Sequence, residues 1–218
     1  TEAYSSTKRG SRFRLYKRRT LLGTNNALLA TPRVGSKEIM ADYIDDLQLN
    51  FVITAKLFAG FNGSKSINII NPSTKAVNTS ISNTSQAHAL AFDSSGQLYA
   101  GFNGSNSIKT INTISNSVTG TIPSTSQAHA LAFDSSGNLY VGYNGASNIT
   151  IINPTTKAVL SNITNTSNAS ALASNNSGLL YAGFNGTNSI KIINTTTKTA
   201  TGTIPNTSQA SALAVDNA

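Results

Sequence analysis

The stretch His129-Ala-Leu-Ala-Phe-Asp-Ser-Ser-Gly-Asn-Leu-Tyr-Val-Gly-Tyr-Asn-Gly145 decides the fold. It opens with an alternating apolar run that stops at Asp134-Ser-Ser-Gly137. That tetrapeptide is a turn with a glycine available for positive φ. A second run, Leu139–Tyr143, stops at Asn144-Gly145, a strong hairpin signal. A third run, Asn148–Ile152, closes at Asn153-Pro154-Thr-Thr-Lys157, and Ala158–Ile163 forms a fourth. Proline cannot donate to a ladder, so Pro154 and Pro72 suit turns. Four short strands joined by tight turns predict one antiparallel sheet.

The same unit recurs. LFAGFNGS starts at Leu57, LYAGFNGS at Leu98, LYVGYNGA at Leu139 and LYAGFNGT at Leu180, each 41 residues after the last. Phe92-Asp93-Ser94-Ser95-Gly96 returns as Phe133-Asp134-Ser135-Ser136-Gly137, and Thr121-Ile122-Pro123 as Thr203-Ile204-Pro205. Tandem units of this length and strand content predict an all-β chain, a β-propeller of four-stranded antiparallel blades. No segment from 50 to 218 keeps a helical period. The positions expected to be buried are Leu90, Phe92, Leu98, Ile108 and Ile111, with their equivalents.

The motif resembles the YVTN and NHL repeats of β-propellers over roughly residues 47–218. Asp134, Gly137, Asn138, Leu139, Tyr140 and Val141 match the first part of that pattern. Ile149, Ile151 and Ile152 match the second, with Asn153 where those repeats carry Asp. The resemblance implies the fold. It does not select a function, because propellers host enzymes, binders and scaffolds alike.

Inner strands should precede each Asp-Ser-Ser-Gly turn, centred on Leu90, Leu131, Leu172 and Leu213. Stepping back 41 places the first at 47–51. The 47–218 domain then holds four blades and the first strand of a fifth at 211–215. Either the natural chain continues beyond Ala218, or Leu213 supplies a strand to another subunit. The initial Thr, in place of Met, likewise leaves room for a preceding piece.

Charge divides the chain. The whole carries 16 Lys and Arg against 8 Asp and Glu, with only 11% charged residues. Ten of the basic residues lie in 1–56, and no Arg follows that segment. Residues 1–46 read as a separate region, with 1–35 an irregular basic arm. Arg12, Phe13, Arg14, Tyr16, Lys17, Arg18 and Arg19 are its candidate partner contacts. The arm has three readings: a solvated tail, an anchor on a neighbouring protein subunit, and a phosphate contact to nucleic acid. Ile39, Met40, Tyr43, Ile44 and Leu47 share one face of a short helix expected over Ser36–Leu47, for which Ser36 is a candidate cap.

Composition excludes several chemistries. Without Cys there is no disulfide scaffold, thiolate zinc site or cysteine nucleophile. No phosphate-binding loop, zinc signature or nucleophile elbow occurs. No apolar run reaches the roughly 20 residues of a membrane helix, and no signal-peptide pattern is present. No cofactor is expected.

His88 and His129 hold equivalent positions at the start of successive inner strands. They are weak candidates for facing a central channel, with Ser170 and Ser211 in the next two units. Two His without nearby carboxylates make a poor metal site, and hydrogen bonding at the strand start is the plainer role. Asp93, Asp134 and Asp216, with Asn175, are expected to hold turns by accepting backbone amides.

Twelve Asn-x-Ser/Thr sequons and a neutral, Asn/Ser/Thr-rich surface suit shallow contacts to glycans or proteins. The expected function is a non-enzymatic structural or binding module on a cell surface or virus particle, with protein subunits as partners and a glycan or surface receptor as ligand. The alternative is a propeller enzyme of the lyase type whose catalytic residues lie in further blades. The absence of Glu after Glu38 counts against that alternative.

Overall fold

The computed structural model describes residues 3–9, 12–18, 55–61, 63–82, 85–124, 126–164, 167–175, 177–205 and 208–216. The chain divides into two compact units, Thr1–Val52 and Ile53–Ala218.

Within the first unit, β1 (Ala3–Arg9) pairs antiparallel with β2 (Arg12–Arg18), from Ala3 opposite Arg18 to Arg9 opposite Arg12. This corrects the expected irregular arm. Arg12, Phe13, Arg14, Tyr16, Lys17 and Arg18 all belong to β2, and Arg19 lies outside the described residues. The cause is visible in the sequence. Gly10-Ser11 separates the two strands, and Gly-Ser is a favoured pair for a two-residue hairpin loop. The helix expected at Ser36–Leu47 and the strand expected at 47–51 lie outside the described residues.

The second unit is a series of antiparallel sheets made of consecutive strands. The first blade shows β3 (Leu57–Gly60), β4 (Ser66–Asn71) and β5 (Ala76–Ser82). The second has β6 (Gln86–Phe92), β7 (Leu98–Asn103), β8 (Ser107–Asn112) and β9 (Ser117–Pro123). The third has β10 (Ala128–Phe133), β11 (Leu139–Tyr143), β12 (Asn148–Ile152) and β13 (Val159–Thr164). The fourth has β14 (Ala169–Ser174), β15 (Leu179–Phe184), β16 (Ser189–Asn194) and β17 (Thr199–Pro205). The 41-residue sequence unit is therefore one blade, and the inner strands β6, β10 and β14 pack side by side. Residues 208–216 form no strand among the described residues, which departs from the expected strand at 211–215.

Turn chemistry repeats as the sequence requires. The glycines of the Asn-Gly pairs take left-handed φ, from +81° at Gly145 to +86° at Gly63. After the third strand of each blade, Asn71, Asn112, Asn153 and Asn194 accept two backbone amides through Oδ1. Each such turn ends in a left-handed non-glycine residue: Lys75, Asn116, Lys157 or Lys198.

The core lies between blades. Leu98, Ile108, Ile111, Leu139, Ile149, Ile152, Leu180 and Ile193 are at most 1% exposed, as the repeat predicts, whereas Leu57, the equivalent of Leu98 in the first blade, is 52% exposed. Phe92 corrects that reading, because it is 49% exposed. It stands at the last position of its strand and meets Phe58 of the preceding blade edge-on, with centroids 5.6 Å apart. Phe133 meets Tyr99 in the same way at 4.9 Å and is half-buried. A ring at the strand end is covered on one side only.

Candidate functional site

Each inner strand carries an irregularity at one position. The ladder between β6 and β7 passes from Ala87 to Ala89, and the skipped residue is His88. Between β10 and β11 the skipped residue is His129, and between β14 and β15 it is Ser170. A bulge leaves one residue out of the ladder and re-aims its side chain. The three bulge residues thus form a column across neighbouring inner strands.

Below the bulges, the blades approach at their limit. Ala89, Ala130 and Ala171 pair with Gly101, Gly142 and Gly183. A Cβ on Gly101 would stand 2.6 Å from the carbonyl oxygen of Ala128, and one on Gly142 2.7 Å from that of Ala169. Gly60 has the same relation to Ala87, and Gly183 to Ala210. Ala210 thus keeps the interblade contact even though 208–216 form no strand. These contacts fix the spacing between one bulge residue and the next.

That spacing brings His88 and His129 together. Their rings stack with centroids 3.8 Å apart and planes 24° from parallel. His88 is exposed and His129 half-buried. The His129 pKa is lowered, first by burial and second by the nearby His88 charge. Ser170 extends the column differently, donating from Oγ to the Ala210 carbonyl at 2.8 Å. Stacked rings direct their lone pairs alongside each other. Among the described residues, no cluster of three His, Asp or Glu comes together to hold a metal. The pair offers an aromatic face at the bulge column.

The turn carboxylates stay apart from this column. Asp93 Oδ1 accepts the amides of Ser95 and Gln97, both at 2.9 Å, and the Ser95 hydroxyl at 2.7 Å. Asp134 Oδ1 accepts the amides of Ser136 and Asn138 at 2.9 and 2.8 Å, and its Oδ2 takes the Asn138 side chain at 3.0 Å. Asn175 repeats the two amide contacts at 3.0 and 2.8 Å. Tyr99 and Tyr140 each lie against the Asp of their own turn. The pKa of both phenols is raised, mainly by burial and then by that carboxylate. These groups hold turns.

The sequence reading missed one concavity. A cleft of about 380 Å³ opens between the last strand of the second blade and the third blade, lined by Pro123, Tyr143, Asn148, Thr150, Val159 and Asn162. The signal was available as departures from the repeat. Tyr143 stands where the other blades have Phe61, Phe102 and Phe184, and Thr150 where they have Asn68, Lys109 and Lys191.

No family model matches the chain, and no curated protein matches it. Solved structures do. A chain of the Kuenenia stuttgartiensis hydrazine synthase superposes with a TM-score of 0.61 at 16% identity, covering 68% of this chain and 45% of that one. A chain from the crystal structure of a mitotic checkpoint complex superposes with a TM-score of 0.63 at 18% identity, covering 74% and 53%. Both are propeller-containing proteins. The fold is a β-propeller. The chain spans about half the length of each of these neighbours, and at such identities the likeness concerns the fold alone.

Proposed function

We propose that the chain is a non-enzymatic display and binding module, with YVTN/NHL-type blades presented on a cell surface or virus particle and residues 1–46 serving as the assembly anchor. The observation that carries this reading is the distribution of constraint in the blades. The Gly–Ala approach, the Asx turns and the buried Ile and Leu recur from unit to unit. Between them many exposed positions hold neutral Asn, Ser and Thr, interspersed with single Lys, Val, Leu and Ile side chains. Such a surface suits protein or glycan contacts made without a strong field. The occurrence of a propeller in a multi-protein complex supports partners of the protein class.

In this reading Arg12, Arg14, Lys17, Arg18 and Arg19 pair with carboxylates of a neighbouring subunit, while Phe13 and Tyr16 enter its apolar pockets. The hairpin gives the anchor a preformed strand edge, which another sheet can extend. The test is deletion of 1–35, with retention in the surface or particle fraction and blade melting both measured. Release with unchanged melting supports the anchor. Normal retention overturns it. Loss of DNA or RNA binding with a steep salt dependence, while retention persists, replaces it with the phosphate reading.

A further inference from the structure

We infer that the cleft between the second and third blades binds a neutral polyhydroxylated ligand, a mono- or disaccharide unit. This goes beyond the display reading by naming a site and a ligand class. Its biological use rests on that reading, but its binding chemistry does not.

The repeat supplies internal controls. In the second blade Lys109 crosses to Thr121, Nζ to Oγ1 at 3.1 Å. In the fourth, Lys191 lies over the Phe184 ring, Nζ to centroid 5.4 Å. Those lysines occupy the space beside the third strand. The third blade has Thr150 there, a shorter side chain, and its Asn162 replaces the residue equivalent to Thr121. The first blade also lacks the lysine, but its Phe61 has no hydroxyl and is 45% exposed. The third blade alone combines a short residue with an added phenol.

The polar groups in the cleft are organised. Thr150 Oγ1 donates to Asn162 Oδ1 at 2.8 Å and accepts from Asn148 Nδ2 at 3.0 Å. Asn148 Nδ2 also donates to Asn162 Oδ1, at 2.9 Å. Burial raises the Tyr143 phenol pKa, and the neighbouring Thr150 side chain opposes that push. This network fixes both amides. It leaves Asn148 Oδ1 as an acceptor and the Asn162 Nδ2 hydrogens as donors without protein partners among the described residues. An amide acceptor and an amide donor on one cleft wall suit a polyol, in which each hydroxyl can give and take a hydrogen bond. Pro123 and the 60% exposed Val159 supply apolar flanks for the C–H face of a sugar ring. No carboxylate, ammonium or guanidinium lines the cleft, so a charged ligand would lose hydration without compensation. The volume falls at the small end of ligand sites, about 300–1,000 Å³.

The test titrates the whole purified protein with the methyl glycosides of glucose, galactose, mannose and N-acetylglucosamine, followed by saturation-transfer NMR. Thr150→Lys installs the residue of the second and fourth blades, and Tyr143→Phe the residue of all three other blades. Binding of at least one glycoside is expected, weakened roughly tenfold or more by Thr150→Lys and less by Tyr143→Phe. Asn162→Thr, which copies Thr121 and Thr203, gives the same readout if Thr150→Lys fails to fold. No glycoside binding to the wild type overturns the inference, as does equal binding by the folded variants. Because the measurement uses the isolated protein, its failure leaves the anchor test untouched, and failure of the anchor leaves this one untouched.

Discussion

Gly142 and Ala169 belong to neighbouring blades and meet so closely that a Cβ on the glycine would stand 2.7 Å from the Ala169 Cβ and 2.7 Å from its carbonyl oxygen. Both obstacles are held by a sheet, and neither is the free end of a flexible side chain. Gly142→Ala must therefore separate the third and fourth blades, at a cost of about 1–3 kcal/mol. Gly202→Ala is the control, since the nearest atom to a Cβ there is Ile192 Cδ1 at 3.5 Å, an ordinary contact. Denaturant unfolding should show a clear loss of stability for the first variant and a change within about 0.5 kcal/mol for the second.

The stacked histidines make stability depend on pH. The folded pKa of His129 lies below its ordinary value, through burial first and His88 second. The unfolded chain therefore takes up the proton first as pH falls. The stability contributed by the neutral ring is present above the unfolded value of about 6.5. It is lost progressively as pH drops from there through the folded pKa. His129→Ser copies Ser170 of the next blade and removes the group. The wild type should lose more stability than this variant between pH 7.5 and 5.5 in urea unfolding. An identical pH dependence would assign the loss to other groups.

How far this column was legible in the sequence follows from its parts. Equivalent placement of His88 and His129 came directly from the 41-residue step. Their stacking did not, because it depends on a bulge and on the Gly–Ala approach between blades, which are tertiary geometry. The blade itself was legible, since alternation, Asn-Gly pairs and Asp-x-x-Gly turns all specify the same strands. Phe92 was misjudged because periodicity assigns a face to a residue but does not show where along the strand the cover ends. The β1–β2 hairpin was missed although Gly10-Ser11 marks it. Basic residues at 12, 14, 17 and 18 dilute the alternation of Phe13 and Leu15, so the charge run masks the strand signal.

Asp134 is 8% exposed, and its carboxylate is committed to backbone amides and Asn138. Replacing it by Ala leaves those amides without their acceptor, which should cost about 1–3 kcal/mol. Asp134→Asn should cost much less, because Asn175 accepts the same two amides in the fourth blade. Equal losses in the two variants, read by thermal melting, would show that the negative charge rather than the hydrogen-bond pattern holds this turn.

Lys157 closes the turn after the third strand of the third blade with φ +61°, its amide donating to the Asn153 carbonyl at 2.8 Å. A left-handed conformation costs a non-glycine residue roughly 1–2 kcal/mol, and Asn tolerates it better than most. The second blade already uses Asn116 at this position, with φ +54°. Lys157 is exposed, so exchanging it loses little packing. Lys157→Asn should therefore raise stability by up to about 1 kcal/mol, while Lys157→Val, branched at Cβ, should lower it by more than that. The order Asn above Lys above Val in melting temperature is the expected result. A reversed order would mean that the lysine's charge or stem stabilises this turn more than its backbone strain opposes it.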